Sequence, residues 1–413
     1  MISSWKRTAF SLLVLVLLVP LSLSCGGGGG GGKVTIVIGE LTDFTGPAGP
    51  ACKPIHYAIQ DMARYYSEDA LIPGVKVKIA TYDTKTDPAR ELLGYEWCKG
   101  RGAKVIISYM PGAAEVLKPF AERDKVVIAA LGALPSAFEP PGWVFGFSNT
   151  QFWAMKSLLQ WISEYQWDYD TQGIPKLGLA GWSDPSSHNI DAAIKEYIEK
   201  HPGKFGYAGG YFSPVGTMTF GGEAEKLKDC DYVTSGSGFA IPYILRELRA
   251  MDSKARLIDA TGSVGSFKGF YVDLVGWKVI DGTLFTNQSI YWNESTPIVD
   301  LVKELLYQYR PSEAEEIINA GVGYVGAAHQ MIAIFEVLQQ AIQKVGAENF
   351  DDGQAFFDAA LSYRTASSMW EGYREWGFGQ TKRYLMDHNV IYEFSAEAQD
   401  LVRVTDWLPQ IKE

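Results

Sequence analysis

From residue 33 onward, short apolar runs alternate with longer stretches whose apolar residues recur at helical spacing. The β-branched run 33–41 predicts a buried strand. A turn over Asp43-Phe44-Thr45-Gly46-Pro47 then leads into a helical pattern at about 54–66. Residues 75–82 alternate apolar and polar, as a half-buried strand does. Asp87-Pro88 opens the next helix, with Asp87 as N-cap and Pro88 at the first helical position. Strand 105–108, helix 113–123 and strand 126–130 complete this series. After a helix at about 151–165 the rhythm restarts with strand 176–180, helix 189–200, strands 206–212 and 232–234, helix 242–251 and strand 256–258. Strands separated by helices at this interval form β-α-β units and a parallel sheet. The chain then turns helical at 296–309, 326–345 and 353–361, and residues 390–394 and 401–404 alternate again as a late hairpin.

Length and charge sharpen this picture. About 380 residues follow the N-terminal segment, more than one hydrophobic core normally serves, so two domains are expected. The net charge is −11, and loss of Lys6 and Arg7 with the leader takes it to −13. Such an acidic chain is a poor partner for nucleic acid or for anionic lipid at large. Beyond Cys25 only Cys52, Cys98 and Cys230 remain, scattered and odd in number. Buried thiols are the simpler reading, with one bridge still open.

The N-terminus carries Lys6 and Arg7, then an apolar run from Phe10 to Leu23, then Ser24-Cys25 and a row of glycines to Gly32. A cationic start before an apolar core is the pattern of a secretory signal. Ser24-Cys25 resembles the lipobox of bacterial lipoproteins, although Ser22 stands where those usually have Leu. The expectation is a lipoprotein signal peptide at 1–25, lipid attachment at Cys25 and a flexible glycine linker at 26–32. An uncleaved signal anchor and simple secretion are the alternatives. No second apolar stretch is long enough for a membrane span.

Four segments in order resemble type I periplasmic binding proteins. They are the strand and turn from Ile36 to Pro47, Tyr82-Asp83 with Asp87-Pro88, the strands at 105–108 and 126–130 with Leu134-Pro135, and Asp231-Tyr232-Val233 followed by Leu245-Arg246-Glu247-Leu248-Arg249-Ala250-Met251. The chain looks like the branched-chain amino-acid-binding subgroup, the substrate receptors of ABC importers. The resemblance implies an α/β fold of two doubly wound parallel-sheet lobes joined by three crossings. Lobe 1 would comprise 33–148 and 289–388, and lobe 2 would comprise 149–288 and 389–413. Ligand would lie between them at strand carboxyl ends.

In that subgroup, loop hydroxyls and backbone N–H groups of lobe 1 hold the ligand carboxylate, and a lobe 2 acid holds its ammonium. This sequence departs at both places. The first loop is Tyr109-Met110-Pro111-Gly112-Ala113-Ala114, and the second, Ala129 to Pro135 with Gly132 and Ala133, has no hydroxyl. Thr261 aligns with the acid, with Asp259 two residues away. A buried ligand cation needs a counter-charge, so the sequence favours an apolar or aromatic carboxylate or amide without an amine over a branched-chain amino acid. The expected contacts are Phe44, Tyr109, Gly112, Ala113, Gly132, Ala133, Trp182, Ser186, Phe239, Thr261 and Tyr291, with Leu131 and Phe152 also near strand ends. The N-terminus at Gly112-Ala113 could hold a carboxylate.

Other chemistry finds little support. Gly321-Val322-Gly323-Tyr324-Val325-Gly326 fits G-x-G-x-x-G but follows a helical segment, so it reads as a helix-to-helix joint and not a dinucleotide loop. The five histidines lack metal-ligand spacing. No nucleophile elbow or P-loop occurs. Ser235-Gly236-Ser237-Gly238 reads as a strand-end loop that could reach the cleft. Asp83 and Asp184 could face each other across it, but strand-end acids usually cap. The expectation is a non-enzyme without cofactor or metal: an exported, membrane-anchored lipoprotein, periplasmic or cell-surface, that delivers a small molecule to an ABC permease. An exported sensor signalling through a membrane partner is the alternative.

Overall fold

The computed structural model describes residues 33–412 apart from 47 and 70; the expected signal peptide at 1–25 with Cys25, and the expected linker at 26–32, lie outside the described residues. Two sheets organise the chain. In the first, strands β1 (Val34–Thr42), β2 (Val75–Asp83), β3 (Val105–Ser108), β4 (Val127–Ala130) and β5 (Val144–Gly146) run parallel in the order β2-β1-β3-β4-β5. In the second, β6 (Lys176–Trp182), β7 (Gly206–Ser213), β8 (Tyr232–Thr234), β9 (Arg256–Asp259) and β10 (Leu284–Asn287) repeat that order as β7-β6-β8-β9-β10. The late hairpin, β11 (His388–Ser395) and β12 (Asp400–Arg403), adds two antiparallel strands beyond β10. The protein is therefore two α/β lobes built on parallel sheets, each with its order reversing beside its first strand.

Burial explains why these segments become strands. Every residue of β3 and β4 is buried, as expected of parallel strands with helices on both faces. The edge strand β2 alternates, Val75 and Val77 inside and Lys76 and Lys78 exposed. Strands β5 and β10 go unmarked by sequence pattern, because three or four wholly buried residues carry no alternation.

Helix α1 (Gly49–Glu68) begins before the expected 54, with a proline in its first turn. Helix α2 (Pro88–Lys99) starts as expected: the Asp87 carboxylate accepts the Ala89 N–H at 2.9 Å. Helix α3 (Ala113–Asp124) follows β3. Helix α4 (Gln151–Trp161) continues through a π turn to Gln166. The helix Pro185–Lys200 starts four residues before the expected 189, because Asp184 caps it.

The long helix Gly323–Val345 packs against α1, in the same core cluster as the first sheet. Among the described residues no single helix is long and apolar enough to cross a membrane. The glycine motif lies where the helix Ala314–Ala320 meets the long helix. Gly321 has φ +131°, and a Cβ there would collide with the Gly265 carbonyl, which accepts the Val322 N–H at 2.9 Å. The motif is thus a packing joint between the helices and the loop after β9.

The segments that pass between the sheets also bond one another. The Asn149 amide meets Asn389, and the Tyr291 N–H donates to the Tyr392 hydroxyl at 3.2 Å. The loop beside β5 is held by Gly146 N–H to Arg383 O and Leu385 N–H to Gly146 O, both 2.7 Å.

Candidate ligand-binding site

A cavity of about 910 Å³ lies where the carboxyl ends of the two sheets face each other. Segments following strands of both sheets reach it, including the loops after β3, β4, β6, β8, β9 and β10. In a wound sheet those loops and the helix N-termini after them are where a ligand finds unpaired backbone donors. The helix N-termini at Gly112 and Pro185 approach across the cavity, so a Cβ on Gly112 would lie 3.8 Å from the Pro185 ring.

The wall from the second sheet is apolar on its surface and tightly bonded behind it. The rings of Trp182 and Phe239 stack with centroids 6.3 Å apart, and Phe239 stacks on Phe267 at 5.0 Å. All three line the cavity and form an aromatic shelf. The Trp182 indole N–H donates to Thr217 O at 2.8 Å, and the Tyr271 hydroxyl donates to Gly238 O at 2.8 Å. Asp184 accepts the Ser187 N–H at 2.7 Å and the Ser237 hydroxyl at 2.6 Å, and Ser237 also accepts the Trp182 N–H at 3.0 Å. The Ser186 hydroxyl reaches Gly236 O at 2.7 Å and Gln151 Oε1 at 2.8 Å. Asp259 is fully buried, and burial raises its carboxyl above its ordinary value. It accepts the Thr261 N–H at 3.0 Å, the Thr261 hydroxyl at 2.8 Å and the Val264 N–H at 3.2 Å. Asp259 thus holds its own loop and does not line the cavity.

The wall from the first sheet differs. Tyr109 and Leu131 present apolar surface, and the Tyr109 hydroxyl is buried without a hydrogen-bond partner. Nearby Cys52 is a buried free thiol pushed up to about 12 by burial. Glu91, in the first turn of α2, is 4% exposed, and its Oε2 has no partner. Burial, offset only in part by the Thr84 hydroxyl, pushes that carboxyl up to about 7. Glu115 lines the same wall and bonds the Ser136 hydroxyl.

Of the residues singled out from sequence, Tyr109, Gly112, Ala113, Gly132, Trp182, Ser186, Phe239 and Thr261 line this cavity, as does Leu131. Phe44, Ala133, Tyr291 and Phe152 do not. Phe44 is 43% exposed and packs edge-on against His56 at 4.7 Å. Ala133 is in the core around the first sheet, Tyr291 is buried beside Tyr392, and Phe152 packs on the core beside α4. The loop Gly236-Ser237-Gly238 does reach the cavity. Asp184 caps the helix Pro185–Lys200, and Asp83 holds the turn after β1, accepting the Phe44 N–H at 3.0 Å and the Thr45 hydroxyl at 2.7 Å. Sequence reasoning missed Glu91, Gln151, Phe267 and Gln330. Glu91 carried only the signal of an acid in a helix's first turn, which is ordinary.

The architecture is shared with known structures. A branched-chain amino acid ABC transporter protein from Thermus thermophilus with bound valine superposes with TM-score 0.78 at 18% identity, covering 92% of this chain and 97% of that one. A solute-binding protein of an ABC transporter from Rhodopseudomonas palustris HaA2, in complex with p-hydroxybenzoic acid, gives 0.72 at 16% identity, covering 91% and 97%. One from R. palustris BisB5 with 3,4-dihydroxybenzoic acid gives 0.72 at 16%, covering 92% and 99%. These likenesses establish the type I periplasmic binding protein fold. No curated protein matches the chain. Residues 35–390 match the model described as periplasmic binding protein, and the chain belongs to that family.

Proposed function

We propose that this protein is the extracytoplasmic solute receptor of an ABC importer. The observation that carries the reading is the cavity of about 910 Å³ at the facing carboxyl ends of two wound sheets. Lobe 1 (33–148 and 289–388) and lobe 2 (149–288 and 389–413) would close on a small organic solute, whose apolar, planar part rests on Trp182, Phe239 and Phe267. Binding shifts the population toward the closed form, which docks on the permease. Lipid attachment at Cys25 and the glycines to Gly32 would keep the receptor near that permease without restraining closure. The valine and hydroxybenzoate complexes of proteins with the same fold support an organic solute of about that size.

A thermal-shift screen of amino acids, aromatic acids, amines and amides tests this. The expected hit raises Tm, lowers the radius of gyration in small-angle scattering, and loses its effect in Trp182→Ala. A hit that binds equally well to Trp182→Ala and leaves the scattering unchanged rejects the cleft as the site.

A further inference from the structure

Resting on that reading of the cleft, we propose that the solute carries a positively charged amine and that Glu91 of lobe 1 is its counter-charge. Among the described residues lining the cavity there are three acids, Glu91, Glu115 and Asp184, and no Lys, Arg or His. Two of the three are engaged. Both oxygens of Asp184 accept hydrogen bonds within their own wall, and Glu115 is bonded by Ser136. Glu91 alone keeps a buried oxygen, Oε2, with no partner.

A helix gains from an acid in its first turn without burying it, so the dipole does not account for a side chain only 4% exposed. An unpaired buried carboxyl is costly, and native structures rarely keep one without a reason. Burial pushes the Glu91 carboxyl up to about 7, and an arriving cation would favour its charged form. The opposite wall suits the same ligand, because aromatic faces such as Trp182 and Phe239 attract cations and cover apolar carbon. An anionic solute would meet three acids and no base. The uncapped helix N-termini at Gly112 and Val322 offer it only about half a charge each. Lobe 2 leaves no acid free to compete, since Asp184 is bonded by Ser187 and Ser237 and, behind the wall, Asp259 is held by Thr261 and Val264. The counter-charge that Thr261 lacks is thus supplied from the other lobe.

The test is tryptophan fluorescence of the full chain at pH 8, titrated with three probes of matched size: benzylamine, benzyl alcohol and benzoate. Benzylamine should bind about tenfold tighter than benzyl alcohol, one decade of affinity, with benzoate weakest. Glu91→Gln should remove the preference for benzylamine, and Glu91→Asp, which keeps the charge, should restore part of it. Benzoate binding tighter than benzylamine, or a preference that survives Glu91→Gln, overturns the amine assignment and leaves the receptor reading intact. No response to any of the three probes overturns the inference and counts against the cleft as well.

Discussion

The two walls of the cavity solve the problem of a wet, polar cleft in opposite ways. Among the described residues that line the cavity from lobe 2, no buried side-chain polar atom lacks a partner: Asp184 and Ser237 bond each other and Ser187, and behind them Asp259 holds the Thr261 loop. On the lobe 1 side the lining residues Glu91 and Tyr109 each keep a buried oxygen unpaired. A satisfied network fixes shape, and on the lobe 2 side it backs the aromatic shelf of Trp182, Phe239 and Phe267. Unmet hydrogen-bonding capacity is an energetic cost that a ligand can remove, so the lobe 1 wall is where a ligand would gain most from polar contact.

The contrast can be broken from either side. The largest effect is expected in lobe 2: Asp259→Ala leaves the Thr261 and Val264 N–H groups unpaired and should cost about 4 kcal/mol in urea unfolding. Next comes the pH dependence of Glu91. Its carboxyl lies at about 7 in the folded state against 4.5 unfolded, with burial the main cause and Asp87 a lesser one. The folded value is the higher, so the contribution is fully present below about 4.5 and is lost as pH rises through about 7. The loss is roughly 3 kcal/mol. Glu91→Gln should flatten the stability profile between pH 4 and 8, becoming more stable than wild type at pH 8 and not at pH 4.

A smaller effect is expected from Ser237→Ala, which strands the Trp182 N–H and should cost about 2 kcal/mol in the same assay. The smallest belongs to Tyr109→Phe. Its hydroxyl has no partner to lose and its removal lifts a burial cost, so stability should rise, by no more than about 1 kcal/mol. A cost for Tyr109→Phe equal to that of Ser237→Ala would erase the difference between the walls.

Much of the fold is legible along the chain. Parallel strands buried on both faces must be continuous apolar runs, which is why β3 and β4 stand out and why the winding of two lobes can be anticipated. Asp87-Pro88 marks a helix start because the cap and the restricted φ act within one turn. The loops at 109–113 and 236–239 follow strands, and a wound sheet brings its strand ends together whatever their side chains.

Which of those side chains line the cavity was decided only by the tertiary structure. Phe44, Ala133 and Tyr291 also sit near strand ends, yet one is held outward against His56 and the others are drawn into the core. Phe267 and Gln330 join the site from elements about 60 residues apart in the chain. Glu91 is the sharpest case. Its sequence context is local and unremarkable, and its charge matters because distant segments exclude water from it and leave its Oε2 without a partner. Periodicity and capping are short-range properties that a sequence displays. Desolvation and the partnering of a polar atom depend on residues far apart in the chain, and only the folded arrangement sets them.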